Sequence, residues 1–475
     1  MDKKKLINLI IGPVLFAVCS LTMGGLFTPS GARAIGTLCW MVYWWATRPV
    51  HMTVTALLPI MINGLFPVID MSVVTAQYFS DSIILILGSS LLTIPWAATG
   101  LDRRVALKIL SLVGPSMKSQ IAVWMFTSMI LSTTLPNVAV CALLTPIAVA
   151  MLHAAGYEDI AKAAPAVPIL VCIGWGVGLG GVGSPLGGAM NVAAISFFEE
   201  AVGHEFMYVD WVVRVLPYFI IVGIVMFLVL VAMYARGGQR LDGTKEFFNQ
   251  SYAALGPIKR DEKICATLFV LAVIAAFTRP LYAKLLPGLA PAFVFVILGS
   301  LSFFITAADK KHTIMDWEDV QKNALWGMML LFGGGLALGK MVNLSGAGDG
   351  IASIMTSFNL DGGFTTCLIL VVFGTLISEL TNSTVSAAVV VPIALGFATK
   401  LGLNPLPYWI ITILGYNAEF LLPISVRAIP VGYGLDANKM MKHGIPVMLI
   451  RMLTALIVGY ACLKLWPGFS VVSYL

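Results

Sequence analysis

Two short polar stretches interrupt long apolar runs: Ser132-Thr133-Thr134-Leu135-Pro136-Asn137 and Thr381-Asn382-Ser383-Thr384. Pro146-Ile147-Ala148 lies ten residues past Pro136 and Pro392-Ile393-Ala394 ten past Asn382, a common offset of 246 that marks an internal repeat. Asn137 can donate through its amide, and Ser383 and Thr384 through hydroxyls. At the start of a half-helix such donors join unpaired backbone amides and the positive end of the helix dipole, a combination that suits a carboxylate. Two facing tips offer one such end to each carboxylate of a dianion. The same side chains also serve as plain turn caps, and the duplication is what favours binding.

A second pair of interruptions follows. One is Gly180-Gly181-Val182-Gly183-Ser184-Pro185-Leu186-Gly187-Gly188-Ala189-Met190-Asn191, the other Ala418-Glu419-Phe420-Leu421-Leu422-Pro423-Ile424-Ser425-Val426-Arg427. Irregular backbone at membrane depth survives only where protein or a watery cavity satisfies it, so matched interruptions in both halves point to a transporter's central site. The glycines allow either unwound geometry or close helix packing. Ser184 and Asn191 can line the site, and Asn191 also suits capping of the next half-helix. Arg427 costs roughly 2.5 to 3.5 kcal/mol at a helix centre, so it must face a cavity, snorkel, or pair with Glu419 or Glu379. Facing substrate, it would clamp a carboxylate with two parallel hydrogen bonds. Glu379, one turn before the second tip, also suits closing its hairpin.

The elements that hold these residues are membrane helices. Of 475 residues 59% are hydrophobic and 11% charged, with a mean hydropathy of +0.93, far from the roughly 25% charge of soluble domains. Pro49 to Ile69, Val215 to Ala235 and Leu285 to Ala308 lack formal charge and are each long enough to span. Their continuity excludes a transmembrane barrel. Lys118 and Glu158 bracket 39 uncharged residues, too many for one span. Each arm beside the first tip has about fifteen residues, roughly 22 Å of helix against about 30 Å of hydrocarbon. A re-entrant hairpin fits, and Thr365 to Leu380 with Val385 to Thr399 repeat it.

The expected fold is an all-α polytopic membrane protein with two inverted-topology repeats, about eleven spans, two re-entrant hairpins and broken helices. Residues 1–34 form an N-terminal helix retained rather than cleaved, with Lys3, Lys4 and Lys5 in the cytoplasm. Residues 35–236 are the first repeat, 237–263 a connecting loop and 264–475 the second repeat. Asp309 to Gln321 reads as a loop with a short amphipathic helix. The formal charge of +6 is scattered over loops, as for helices oriented against anionic lipid, and gives no array for nucleic acid. Trp40, Trp44 and Trp45 suit an interfacial belt or a subunit contact.

Enzyme-like patterns fail. Gly334 to Met341 mimics a phosphate loop, but Met341 stands where Ser or Thr is needed. His204-Glu205-Phe206-Met207-Tyr208 lacks the second zinc histidine, and no strand precedes Gly176-Val177-Gly178-Leu179-Gly180-Gly181. The seven cysteines lack CxxC spacing and the five histidines are scattered, so no metal or cofactor is expected.

From about Pro49 to Gly434 the chain resembles the divalent anion/sodium symporters, carriers of di- and tricarboxylates. Thr55-Ala56-Leu57-Leu58-Pro59, Leu331-Phe332-Gly333-Gly334-Gly335-Leu336-Ala337-Leu338, both tips and both broken loops carry the likeness. In that family each tip reads Ser-Asn-Thr, with sodium between tip and unwound loop. Here the triplets are Pro136-Asn137-Val138 and Asn382-Ser383-Thr384, and Arg427 replaces an expected proline. Pro136 and Val138 lack hydroxyls found in sodium-coupled members. The resemblance implies a substrate site of Asn137, Val138, Asn382, Ser383, Thr384, Ser184, Pro423, Ser425 and Arg427, the last supplying charge in place of sodium. It implies a homodimeric elevator in the cell membrane, not an enzyme, that exchanges 2-oxoglutarate, succinate, malate or fumarate. The alternatives are sodium-coupled symport and, from another class, an intramembrane enzyme.

Overall fold

The computed structural model describes residues 3–347, 350 and 361–471, and its regular elements are all helical. Helices α1 (Lys3–Thr22) and α2 (Pro29–Thr47) lead through short helices to α3 (Asp81–Thr99). The first hairpin is α4 (Met117–Ser132) with α5 (Asn137–Ala154), the first broken helix α6 (Ala166–Gly181) with α7 (Ala189–Val202), and α8 (Tyr208–Tyr234) closes that half. After α9 (Arg260–Phe277), α10 (Pro291–Ser300) and α11 (Trp326–Leu344) the order recurs. The second hairpin is α12 (Phe364–Leu380) with α13 (Ser383–Lys400), the second broken helix α14 (Pro405–Tyr416) with α15 (Ala428–Gly432), and α16 (Ala437–Leu465) follows.

Seven helices among the described residues are long and apolar enough to cross a membrane, and the protein is an all-α polytopic membrane protein. Ile220, Ile224 and Leu228 on α8, and Ile445, Leu449, Leu453 and Ile457 on α16, are exposed at four-residue intervals. Each stripe keeps one side of its helix apolar along its length, as a membrane-exposed face requires.

Two of the charge-free runs are not single spans. Pro59 sits in the first turn of a helix confined to Leu58–Leu65, where its missing N–H costs nothing. The amides of Val68 and Ile69 then bond Asn63 Oδ1, each at 3.0 Å, instead of continuing the helix. Pro291 likewise delays α10. The connecting segment 237–263 holds a helix of its own, Thr244–Ala253, and the short helix expected within Asp309 to Gln321 is Trp317–Asn323, which ends two residues past that bound.

One apolar core joins α3 to the hairpins and broken helices, and a second gathers α1, α2 and the 52–65 region. Helices α11 and α13 contribute to both: Val385, Val389 and Val390 of α13 face the second core, while Ala387, Val391 and Ala394 face the first. The polar tip at the start of α13 thus lies where the two cores meet. A buried ion pair, Arg104 to Glu262 at 3.0 Å, pins the helix Leu101–Leu110 beside α9.

Candidate functional site

Both hairpin tips and both broken loops border one cavity of about 90 Å³. Asn137, Val138, Asn382, Ser383, Thr384 and Ser425 line it, so six of the nine residues expected at the site share one space. Ser184, Pro423 and Arg427 are not in its lining. Glu419, Ser89 of α3, Leu325 at the N-cap of α11 and Met328 within α11 also line the cavity. A larger cleft of about 470 Å³, edged by Asp102 and Asp319, shares Pro136, Val138 and Leu325 with this cavity. Another of about 800 Å³, edged by Glu199, Glu200, Arg279 and Lys340, shares Val192.

At the first tip α4 stops at Ser132 and α5 starts at Asn137, with Pro136 at the cap position before it. Ser184 donates its hydroxyl to the Thr133 carbonyl and accepts from the Leu186 amide at 3.1 Å, tying broken loop to tip. Asn191 Nδ2 donates to the carbonyls of Gly181 at 2.6 Å and Ser184 at 2.8 Å, and Trp211 Nε1 to Val182 at 2.8 Å. Ser184 and Asn191 therefore build the loop. Glycine is required where the loop meets the hairpin, because a Cβ on Gly180 would lie 2.2 Å from the Met129 carbonyl oxygen. The side-chain oxygen Oδ1 of Asn137 has no partner among the described residues.

At the second tip Asn382 Oδ1 caps α13 by accepting from the Val385 amide at 2.9 Å. The donors next to it, the Ser383 amide and hydroxyl, both bond Glu419 Oε1. Ser378 Oγ lies 3.1 Å from the same oxygen. The other oxygen, Oε2, accepts from Arg427 Nη1 at 2.5 Å. Arg427 is 2% exposed, and it donates through Nε to Leu422 O at 2.7 Å and through Nη1 to Glu419 O at 3.4 Å. A buried guanidinium paired to a buried carboxylate is electrically balanced, so the structure gives Arg427 the ion pair with Glu419 instead of an open face toward the cavity. Its Nη2 has no partner among the described residues.

Glu379 bridges elements instead of closing its own hairpin. Its carboxylate accepts from the amides of Phe420 at 2.9 Å and Leu421 at 3.0 Å in the broken loop. Arg451 of α16, fully buried, donates to the carbonyls that the end of α14 leaves open, those of Leu414 at 2.6 Å and Gly415 at 2.8 Å. Thr375 donates to Gly415 and Ser378 to Tyr416. From outside the pair of loops, Arg48 at the end of α2 reaches Thr381 O at 3.5 Å.

The sequence reading missed Glu419 as a wall of the cavity, Arg451 as a donor to the carbonyls at the end of α14, and Ser89. Arg451 carried a signal: a lone arginine in the apolar 29-residue α16 needs partners at depth. Ser89 carried none, since a serine in an apolar helix ordinarily bonds its own preceding turn.

A family model described as CitMHS, citrate transporter, matches residues 42–415. The sodium-dependent dicarboxylate transporter SdcS of Staphylococcus saprophyticus is 28% identical over 483 residues, covering 96% of this chain and 91% of that protein. The protein of the same name from Staphylococcus aureus is 28% identical over 488 residues, covering 98% and 93%. Among solved structures, the YdaH transporter of Alcanivorax borkumensis matches with a TM-score of 0.55 at 13% identity, covering 82% of this chain and 86% of that one. At that identity the likeness concerns the fold.

Proposed function

Because the chain belongs to the citrate transporter family, a family of carriers and not of enzymes, we propose that it exchanges small dicarboxylates across the cell membrane without sodium. Succinate, malate, fumarate and 2-oxoglutarate define the substrate class. One carboxylate meets Asn137 at the start of α5, the other meets Ser383 and Thr384 at the start of α13, and Val138 supplies an apolar side. Ser425 adds a hydroxyl to the wall, while Ser184, Asn382 and Pro423 shape the tips and loops. The transporter works as a homodimeric elevator by alternating access, with its N-terminus in the cytoplasm.

The observation that carries sodium independence is the state of the carbonyls between tips and loops. A sodium ion there needs several free oxygens. In the first half the carbonyls of Thr133, Gly181, Val182 and Ser184 accept from Ser184, Asn191 and Trp211. In the second half those of Leu414, Gly415, Glu419 and Leu422 accept from Arg451 and Arg427. Side-chain donors thus already engage these carbonyls, and Arg427 donates there with its own charge balanced by Glu419. Sodium-coupled symport stands as the second reading, favoured by the printed names of the Staphylococcus proteins.

Exchange follows from the cost of moving an empty site. Without substrate, the donors at the first tip would cross the bilayer short of partners, Glu419 holding those of Ser383 at the second, and an unmet buried polar group costs about 1–3 kcal/mol. A bound dicarboxylate satisfies them. Counterflow in proteoliposomes tests this: vesicles loaded with unlabelled succinate should accumulate labelled succinate, whereas empty vesicles should not. Equal uptake by empty vesicles would reject exchange, and no uptake of any dicarboxylate would reject the substrate class.

A further inference from the structure

We propose that Glu419 is a tethered stand-in for a substrate carboxylate: it fills the anion site at the start of α13 when the carrier is empty and yields that site to the incoming dicarboxylate. The inference rests on the anion-carrier reading above and deepens it by naming what occupies the site between substrates.

Four observations support it. The Ser383 amide and hydroxyl, the donors that the N-terminus of the 18-residue α13 offers an anion, are taken by Glu419 Oε1. Glu419 nevertheless lines the cavity, so a ligand there touches the very carboxylate that competes for its donors. Arg427 grips only Oε2, through Nη1, although guanidinium and carboxylate ordinarily meet through two parallel bonds. Its buried Nη2 has no partner among the described residues.

These facts define an exchange of partners. A small rotation of the Glu419 side chain takes Oε1 from Ser383 to Arg427 Nη2, completing a two-bond pair. The freed amide and hydroxyl of Ser383 then receive the substrate carboxylate. Every charged group keeps a partner in both states, so the substrate enters without stranding the buried pair. In the empty state the tether keeps the Ser383 donors satisfied, and the cost of an unoccupied site then falls mainly on Asn137 and its neighbours at the first tip.

The test uses the purified full-length protein in detergent, with Glu419→Ala and Glu419→Gln as variants and potassium formate as the probe. Removing the tether opens a one-carboxylate site between Ser383 and Arg427. Formate should therefore raise the melting temperature of Glu419→Ala, while leaving wild type unmoved and formamide without effect. Succinate should bind Glu419→Gln at least about tenfold more tightly than wild type, about 1.4 kcal/mol. If formate acts equally on wild type and variant, or if succinate binds Glu419→Gln more weakly, Glu419 builds the site instead of competing for it and the proposal fails.

The formate arm does not depend on the substrate class. Formate rescue without succinate binding by any form would sink the dicarboxylate reading and keep the tether. Should both variants fail to fold, infrared difference spectra of wild type with carbon-13 succinate decide: a glutamate carboxylate band must shift on binding, and an unmoved band overturns the proposal.

Discussion

Asn417 Nδ2 donates to Asn191 Oδ1 at 2.9 Å, so the two broken loops, 226 residues apart in the chain, meet through one buried hydrogen bond. The two partners are unequal. Asn191 also donates to the carbonyls of Gly181 and Ser184, whereas Asn417 Oδ1 has no partner among the described residues. Asn191 thus ties its own loop together as well as bridging to the second, whereas the Asn417 side chain makes only the bridge.

That asymmetry sets the order of two variants. Asn191→Ala strands two carbonyls and the Asn417 amide, each worth about 1–3 kcal/mol, and should lower the melting temperature well below that of Asn417→Ala. Thermal unfolding of the purified variants checks the order, and equal losses would contradict it.

The tips and breaks were legible in the sequence because proline, glycine and short polar side chains punctuate apolar helices for local reasons. Ser132, Asn137, Asn382 and Gly180 sit at or next to the helix ends that the structure shows. The partnership of Glu419 with Ser383 was not legible, because it depends on how a loop folds back onto a helix 36 residues earlier. Arg427 shows the same limit. Its cost at depth demanded a partner, with Glu419 among the candidates, but nothing in the spacing said that it would turn from the cavity. The run from Pro49 to Ile69 read as one span because absence of charge says nothing of the bonds that Asn63 makes with Val68 and Ile69.

Glycine positions separate packing from mere helix content. Gly180→Ala places a Cβ 2.2 Å from the Met129 carbonyl oxygen, whereas the Cβ of Gly396→Ala in α13 meets nothing within 4 Å. Gly180→Ala should abolish exchange and impair folding. Gly396→Ala should be neutral or more stable by up to about 1 kcal/mol. Size-exclusion profiles and counterflow rates of the pair check this.

The Arg427 and Glu419 pair should behave non-additively. Arg427→Ala leaves the carboxylate buried without its cation, a loss of about 3–5 kcal/mol, whereas Arg427→Ala with Glu419→Ala removes both charges and should recover much of it. A double-mutant cycle on melting temperature reads the coupling, and simple additivity would contradict the pairing.

Substrate contacts should appear in KM. Thr384, in the first turn of α13, lines the cavity, and a hydrogen bond to a charged group is worth about 1.5–3 kcal/mol. Thr384→Val, which keeps the shape and removes the hydroxyl, should raise the KM for succinate exchange roughly tenfold or more without changing the melting temperature. An unchanged KM would take Thr384 out of the site.

Sodium decides the central claim. Initial rates of succinate exchange are compared in proteoliposomes with sodium on both faces and with choline in its place, while labelled sodium is followed in parallel. Carbonyls already held by Ser184, Asn191, Arg427 and Arg451 predict equal rates and no sodium movement. A rate that collapses in choline, or sodium that crosses in fixed ratio to succinate, would show that the tips and loops bind the ion after all.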